Sequence, residues 1–199
     1  MDLTVRTAKP YSILLERGLL SRTGEACLPL FSKGSRAMVI SDSNVFPLYG
    51  ETVMDSLFQA GYEAHSCVFP AGEQSKLLST VETFYRALAE NGFTRSDFVV
   101  ALGGGVVGDM AGFAAATFLR GIDFIQIPTT LLAQVDSSVG GKTGVDLSFG
   151  KNLVGAFHQP RLVLIDPDTL STLPPHFFAD GLGEVIKYVC IRRPALFDR

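Results

Sequence analysis

One short segment limits the fold more than any other. Residues 98–102 are all apolar and run directly into Gly103-Gly104-Gly105. A strand that is apolar at every position suits the inside of a parallel sheet, where helices cover both faces. The small residues that follow predict a helix over 106–118. This order of strand, glycine turn and helix predicts a parallel α/β arrangement.

The rest of the chain repeats the alternation of strand and helix. Patterning predicts extended segments at 3–7, 11–15, 36–42, 64–69, 124–127 and 162–165, and helices at 18–31, 46–60, 75–91 and 183–191. The first two extended segments predict a hairpin or edge-strand pair. We therefore expect an α/β domain over 1–173: a Rossmann-like, mostly parallel sheet with helices on both faces.

The composition predicts a folded protein and excludes several classes. Of the 199 residues, 47% are apolar and 20 are glycine, which argues against disorder. A net charge of −3 gives no electrostatic case for nucleic acid or an anionic membrane. The start of the sequence lacks the pattern of a secretory signal, and no apolar run approaches the roughly 18 residues of a membrane helix. Three widely spaced cysteines predict free thiols in a reducing cytoplasm.

The glycine turn carries a nucleotide-binding pattern. Gly103-x-Gly105-x-x-Gly108 fits the dinucleotide fingerprint, because glycine lets the backbone approach a pyrophosphate at a helix N-terminus. The alternative is a tight turn in which glycine serves only packing. Asp109, in the first turn of the helix, is either a cap or a ligand contact.

Polar residues also follow two other predicted strands. Asp42 stands where an acid can accept hydrogen bonds from ribose hydroxyls. Glu73 and Lys76 lie in a loop that enters the next helix. Taken singly, each of these residues is better explained as a solvated cap or a member of a surface pair.

The segment 128–143 combines hydroxyls, one acid, paired glycines and a lysine. Lys142 after two glycines suits a phosphate or an oxyanion, but Asp136 stands where a P-loop needs a small residue, which argues against a P-loop. Lys151 and Asn152 follow shortly after. Glu184 and Lys187 are three apart on one predicted helix face, where an exposed ion pair is the alternative to a site. His65, His158 and His176 have no ligand spacing and are interpreted as turn and surface residues.

Between about residues 40 and 191 the motifs, in order, resemble the 3-dehydroquinate synthase family. The runs that carry the resemblance are Ser41-Asp42-x-Asn44, Gly72-Glu73-x-x-Lys76, Gly103-Gly104-Gly105-Val106-Val107-Gly108-Asp109, Phe118-Leu119-Arg120-Gly121, 128–143, Gly150-Lys151-Asn152 and Gly183-Glu184-Val185-Ile186-Lys187-Tyr188.

The resemblance implies a two-domain enzyme of which this chain holds the N-terminal portion. An NAD-binding α/β domain over 1–173 would be followed by a helical domain that binds metal and substrate, and whose start is 174–199. The family converts 3-deoxy-D-arabino-heptulosonate 7-phosphate to 3-dehydroquinate and phosphate in aromatic amino acid biosynthesis. It uses NAD for oxidation, eliminates phosphate, reduces the product and closes the ring by an aldol step. A divalent metal, zinc or cobalt, polarises the hydroxyl that is oxidised.

The resemblance also implies roles for individual residues. The adenosine end of NAD would be bound by Asp42, Asn44, Ala71, Gly72, Glu73, Gln74, Ser75 and Lys76. The pyrophosphate would be bound by Gly104, Gly105, Val106, Val107, Gly108 and Asp109. The nicotinamide half would be contacted by Thr129, Thr130, Asp136, Lys142, Thr169, Leu170, Ser171 and Thr172, with Lys151 also placed in the cofactor site. The catalytic set would be Asp136, Lys142, Lys151, Asn152, Lys187 and Arg120. Arg120 would reach the substrate phosphate of a neighbouring subunit in a homodimer.

Glu184 would be a metal ligand, and the resemblance places the other two ligands, both histidines, after residue 199. Since catalytic zinc generally needs three protein ligands, we expect the 199 residues alone to be inactive. The alternatives are another NAD- and zinc-dependent sugar-phosphate cyclase and a glycerol-dehydrogenase-like polyol oxidoreductase, which the segment from Asp136 to Lys142 disfavours. A non-catalytic nucleotide-binding module that works with a partner chain is also open.

Overall fold

The apolar run after Ser96-Asp97 forms a buried strand between two parallel neighbours in a seven-stranded sheet. A computed structural model describes residues 1–192. Its strands are β1 Asp2–Val5, β2 Tyr11–Leu15, β3 Arg36–Asp42, β4 Glu63–Phe69, β5 Phe98–Gly103, β6 Asp123–Pro128, β7 Lys142–Leu147, β8 Gly150–Phe157 and β9 Leu162–Ile165. The sheet order is β1-β2-β9-β6-β5-β3-β4, and only β1 pairs antiparallel within this sheet.

Helices cover both faces of this sheet, as predicted. They are α1 Thr23–Cys27, α2 Phe46–Gln59, α3 Leu78–Glu90, α4 Gly105–Thr117 and α5 Pro175–Arg192. Alternation along β3 explains the two faces, because successive side chains of a strand point in opposite directions. Met38 and Ile40 pack with residues of α3 and α4, whereas Ala37 and Val39 pack with residues of α1 and α2.

The structure contains a hairpin that the sequence analysis missed. Strands β7 and β8 pair antiparallel as a separate two-stranded sheet, and no strand was predicted for these residues. Glycines interrupt the apolar alternation of both strands, so the period-2 signal is weak. The hairpin packs on α4, where a Cβ atom at Gly112 would lie 2.5 Å from Cγ2 of Thr143. Helix α4 is therefore held between the main sheet and the hairpin.

Three helix predictions were wrong in length. The helix expected over 18–31 is a 3-10 turn, Leu20–Arg22, followed by the short α1. The amides of Gly18 and Leu20 donate instead to the Asp166 carboxylate. Helix α3 begins at 78, after a 3-10 turn at Glu73–Ser75, rather than at 75. Helix α5 begins at Pro175 rather than at 183, since proline is accepted in the first turn of a helix.

Two histidines also differ from their prediction as turn and surface residues. His65 lies half-buried within β4, and His158 is half-buried with its ring stacked on Phe124 at 5.3 Å. His176, near the start of α5, is exposed. The division into 1–173 and 174–199 stays a prediction, and residues 193–199 of the second segment lie outside the described residues. No helix within residues 1–192 combines the length and apolarity needed to cross a membrane.

Gly112→Ala tests the packing of α4 against the hairpin. We expect a loss of about 1–3 kcal/mol in the free energy of unfolding, since the added methyl group displaces Thr143 and overfills this contact. The measurement is urea denaturation. Gly183→Ala is the matched control, because nothing lies within 4 Å of a Cβ there. It should leave stability unchanged or raise it by up to about 1 kcal/mol. Equal stability of the two variants would contradict the close approach.

Candidate functional site

Six parallel strands present their carboxyl ends on the same side of the sheet. From β3 the chain moves outward to β4, and from β5 it moves the opposite way through β6 to β9. The direction therefore reverses between β3 and β5. In open parallel sheets, ligands bind in the crevice beyond the carboxyl ends at such a switch point. The segments after β3, β4, β5, β6 and β9 hold most of the residues that the sequence analysis selected.

The glycine turn after β5 places the N-terminus of α4 in this crevice. The amide of Gly108 donates to the carbonyl of Gly104 at 3.1 Å, so amides of the first turn have no acceptor within the helix. A Cβ atom at Gly104 would lie 3.1 Å from Cγ2 of Thr130, and one at Gly105 would lie 3.2 Å from Oγ of Ser137. The glycines therefore let the segment after β6 lie close against an anion-binding helix end.

The segments after β3 and β4 meet beside it. Oδ1 of Asp42 accepts hydrogen bonds from the amides of Asn44 at 2.8 Å and Val45 at 3.0 Å, which fixes the turn into α2. Oγ of Ser43 accepts from the amide of Ala71 at 3.0 Å. Asp42, Asn44 and the loop 71–76 thus lie together, as the sequence analysis expected for one binding surface.

Lys76 is the most buried charged side chain of this surface, at 5% exposure. Its Nζ lies 2.7 Å from Oδ2 of Asp109 and donates to Oδ1 of Asn152 at 2.7 Å. The pKa of Asp109 is raised, chiefly by burial. The Lys76 ammonium opposes this shift, while the charges of Glu73 and Asp146 add to it. Three predicted site residues from distant segments therefore share one contact.

A cleft of about 570 Å³ opens between the start of α4, the segment after β6 and the hairpin. Four predicted site residues line it: Asp109, Asp136, Lys142 and Asn152. Asp136 lies in a π-helical turn, Ala133–Ser137, and such turns are frequent at functional sites. Gly140 and Gly141 have φ of 101° and 68°, a left-handed turn that glycine permits and that leads Lys142 into β7.

Helix α5 contributes to the same region through Tyr188, to which the sequence analysis assigned no role. Its hydroxyl donates to Oδ1 of Asp136 at 2.8 Å, and this hydrogen bond is the main reason that the pKa of Tyr188 is raised. Lys187 forms an ion pair with Glu184, as their spacing predicted. Its Nζ also lies 4.8 Å from the centre of the Tyr188 ring. The position of Tyr188 one turn after Glu184 was the available signal.

Two other predicted residues, Lys151 and Thr169, differ in their exposure to solvent. Lys151 pairs with Glu73 at 3.3 Å, and both side chains are exposed. Thr169 is 1% exposed and its Oγ accepts from Gln134 at 3.0 Å. The Tyr49 hydroxyl donates to the Thr169 carbonyl at 3.1 Å. Segment 169–172 is thereby tied to the segment after β6.

Arg120 is not brought to this site within its own chain. It follows the C-terminal end of α4, and the 13 residues of that helix span about 20 Å. Arg120 and Leu119 both have left-handed backbones, with φ of 68° and 50°. The crevice lies at the carboxyl ends of the parallel strands, and Arg120 therefore lies toward their amino ends.

Two enclosed hydroxyls lie close to the crevice. Thr129, directly after β6, and Ser138, directly after the π-helical turn, are 4% and 0% exposed. Neither Oγ has a hydrogen-bond partner within residues 1–192. Buried polar atoms are normally paired, so these hydroxyls are available to a ligand or to water. Thr129 was predicted from the sequence as a site residue, whereas Ser138 was not.

The described part of the chain does not build a metal centre by itself. Within residues 1–192, no group of three or more histidine, cysteine or acidic side chains could hold a metal ion. Glu184, with a side chain 18% exposed, stands in this part of the chain without two further ligands around it. A catalytic zinc site generally needs three protein ligands, so we assign no step to a metal.

Comparisons with known proteins identify the family of the chain. A family model described as 3-dehydroquinate synthase N-terminal matches residues 66–180. A 3-dehydroquinate synthase of Streptococcus suis (strain 05ZYH33) is 56% identical over 199 residues, which are 100% of this chain and 56% of that protein. The chain thus spans about half the length of the curated relatives it matches.

Solved structures of related cyclases share the fold. A 2-deoxy-scyllo-inosose synthase complexed with carbaglucose-6-phosphate, NAD+ and Co2+ is 32% identical with a TM-score of 0.88, over 95% of this chain and 51% of that chain. A 2-epi-5-epi-valiolone synthase from Streptomyces hygroscopicus subsp. jinggangensis 5008, with NAD+ and Zn2+ bound, is 34% identical with a TM-score of 0.86. It is matched over 98% of this chain and 54% of its own.

The raised pKa of Asp109 predicts a pH dependence of stability. Since the folded-state pKa lies above the ordinary 3.8, the folded chain holds this proton more tightly than the unfolded chain. The contribution of Asp109 to stability is therefore fully present below pH 3.8, and it is lost as the pH rises through the folded-state pKa. We expect the stability of the native chain relative to Asp109→Asn to fall over that window, measured by urea denaturation at successive pH values. A difference that stays constant or rises with pH would contradict the burial of this carboxyl.

Proposed function

The chain belongs to the 3-dehydroquinate synthase family, and on that premise we propose that it forms the NAD-binding part of a 3-dehydroquinate synthase. The reaction is the conversion of 3-deoxy-D-arabino-heptulosonate 7-phosphate to 3-dehydroquinate and phosphate, a step toward aromatic amino acids. The NAD-binding domain comprises 1–173, and 174–199 begins the domain that completes the site.

One observation carries the proposal: Asp109 belongs both to the glycine-led start of α4 and to the wall of the cleft. A dinucleotide whose pyrophosphate lies at that helix end would place its nicotinamide half toward the cleft. Asp136, Lys142 and Asn152 line the same cleft. A substrate held there would lie next to the cofactor, and such proximity is what hydride transfer requires.

The residues of the crevice fit a bound NAD molecule. Gly104 and Gly105 carry no side chain at the start of α4, which lets its first backbone amides lie beside Thr130 and Ser137. Thr129 supplies an enclosed hydroxyl with no partner in the described chain. Asp42, Asn44 and the loop 71–76 would hold the adenosine end. When bound, NAD supplies reversible hydride transfer at the C5 position of the substrate.

The protein's own residues would bind and orient a phosphorylated, anionic substrate. Lys142 supplies positive charge in the wall of the cleft. The exposed Lys151 on β8 and Lys187 on α5 would add positive charge for the substrate. Asn152 offers an amide for hydroxyl groups. Asp136, held by Tyr188, faces the cleft with its carboxylate. The positive charges of the lysines would stabilise the enolate and alkoxide that develop during elimination and ring closure.

Glu184 is proposed as one ligand of a divalent metal, zinc or cobalt. Its carboxylate is held by Lys187 on the same face of α5. The two related cyclases contain Co2+ and Zn2+ respectively. The further ligands that such an ion needs are not supplied by residues 1–192.

The proposal includes a homodimer in the cytoplasm. Arg120 lies at the edge of the sheet away from the cleft of its own chain, so it would serve the phosphate of a neighbouring subunit. Cys27, Cys67 and Cys190 form no disulfide with one another, and unpaired cysteines suit a reducing compartment.

A second candidate is another sugar-phosphate cyclase with the same cofactors. The two cyclase structures share about a third of their residues with this chain, against 56% for the Streptococcus suis protein. The greater similarity favours 3-dehydroquinate synthase.

Cofactor binding is tested by calorimetry with NAD. Gly105→Ala should raise the NAD dissociation constant at least about tenfold, or 1.4 kcal/mol. Its methyl group would lie 3.2 Å from Oγ of Ser137 and would displace the segment after β6 from the glycine turn at which the pyrophosphate is proposed to bind. Gly183→Ala, a glycine of α5 with open space around it, is the matched control and should bind NAD like the native chain. Absence of NAD binding by the folded native chain would overturn the proposal.

Substrate class is tested by calorimetry in the presence of saturating NAD. We expect 3-deoxy-D-arabino-heptulosonate 7-phosphate to bind at least about tenfold more tightly than glucose 6-phosphate, a difference of 1.4 kcal/mol. Lys142→Met should weaken binding of the first ligand, since it removes a charge from the cleft wall. Tighter binding of glucose 6-phosphate would favour the second candidate.

A further inference from the structure

Three hydrogen bonds, each 2.7 Å long, join Lys76, Asp146 and Asn152 in a closed ring. The amide of Asp146 donates to the carbonyl of Lys76. The amide of Asn152 donates to Oδ1 of Asp146. Nζ of Lys76 then donates to Oδ1 of Asn152. The ring connects the loop after β4 to both strands of the hairpin.

Asp146 is the member of this ring without a role so far. It is 8% exposed and lies near the end of β7, where the pairing with β8 is irregular between Val145 and Leu147. That irregularity lets its carboxylate reach the amide of Asn152. A buried carboxylate needs hydrogen-bond donors, and this amide is one of them.

The hydrogen bond to Asp146 is made by Asn152, a residue with an unfavourable backbone conformation. Asn152 has φ of 56°, in the left-handed region that residues other than glycine seldom adopt. Asparagine tolerates this conformation better than most residues. In the observed conformation, its carboxamide is within hydrogen-bond distance of Lys76 and lines the cleft. The Asp146 carboxylate holds the amide of this same residue.

We propose that Asp146 is a positioning residue that acts through the backbone of Asn152. It holds the Asn152 carboxamide and the Lys76 ammonium at the boundary between the cofactor crevice and the substrate cleft. This inference rests on the proposed function. It adds a residue that binds neither cofactor nor substrate but sets the geometry of two that do.

The role requires a hydrogen-bond acceptor and does not require a negative charge. Asp146→Asn can keep an oxygen at the position of Oδ1, whereas Asp146→Ala removes it. The bond from the Asp146 amide to the Lys76 carbonyl belongs to the backbone, so both variants retain it. The two variants therefore differ in one contact of the ring.

The first measurement follows amide hydrogen exchange residue by residue in the 199-residue chain without ligand. The Asn152 amide should be protected in the native chain and in Asp146→Asn, and should exchange at least about tenfold faster in Asp146→Ala. The same samples give the NAD dissociation constant by calorimetry. We expect a rise of about tenfold for Asp146→Ala and of less than about twofold for Asp146→Asn.

A double-mutant cycle separates positioning from a general loss of stability. Asn152→Gly retains the left-handed backbone but lacks the carboxamide. If Asp146 acts through Asn152, adding Asp146→Ala to Asn152→Gly should weaken NAD binding by less than about twofold further. The proposal would be overturned if the two substitutions weakened NAD binding independently, so that their fold-changes multiply in the double variant. Native NAD affinity in Asp146→Ala would overturn it as well.

The outcomes distinguish the two proposals. A native chain whose Asn152 amide exchanges freely overturns the ring, whether or not NAD binds. If the Asn152 amide is protected but the native chain does not bind NAD, the proposed function is overturned. The proposed role of Asp146 in the site is then overturned as well.

Discussion

The site depends on one buried charge, the ammonium of Lys76. Placing a charge at 5% exposure is costly unless it is paired and hydrogen-bonded. Asp109 supplies the opposite charge and Asn152 supplies a hydrogen-bond acceptor, each 2.7 Å from Nζ of Lys76. These two partners lie on α4 and on the hairpin, while Lys76 follows β4. Removing one partner of such a pair typically costs about 3–5 kcal/mol, so the three segments are held to one another. The proposed cofactor crevice and the proposed substrate cleft share this junction.

Helix α4 is the element around which the crevice and the cleft are arranged. Its glycine-led start points toward the carboxyl edge of the sheet, and its small side chains let the hairpin pack on its other side. Because the hairpin carries Lys142 and Asn152, its contact with α4 places the proposed substrate residues beside the proposed nucleotide residues. Overpacking at Gly112 would therefore disturb the cleft as well as the core.

Helix α5 extends this arrangement through two contacts on one face. A Cβ atom at Gly181 would lie 2.7 Å from Cβ of Leu131, so glycine allows close packing there. Seven residues later, Tyr188 donates to Asp136. Glu184 and Lys187 lie between these contacts. The segment that begins the second proposed domain is thus attached to the π-helical turn that carries Asp136.

Much of the fold follows from local patterns in the sequence. The apolar run of β5, the glycine turn and the alternation of strands and helices predict the parallel sheet, since periodicity reflects which face of each element is buried. The order of motifs also identifies the residues at the carboxyl edge. The hairpin was missed because glycines interrupt its alternation. Ser138 and Asp146 were missed because no local pattern marks them, whereas Tyr188 was missed although it lies one turn after Glu184.

The sequence by itself determined the fold class, the family and most residues of the candidate site. Only the tertiary structure decided which of these residues meet. Lys76 and Asn152 are 76 positions apart, and Asp136 and Tyr188 are 52 apart. It also decided that Arg120, close in sequence to the glycine turn, lies at the opposite edge of the sheet. The physical reason is that packing around α4, and not proximity along the chain, sets the distances on which binding depends.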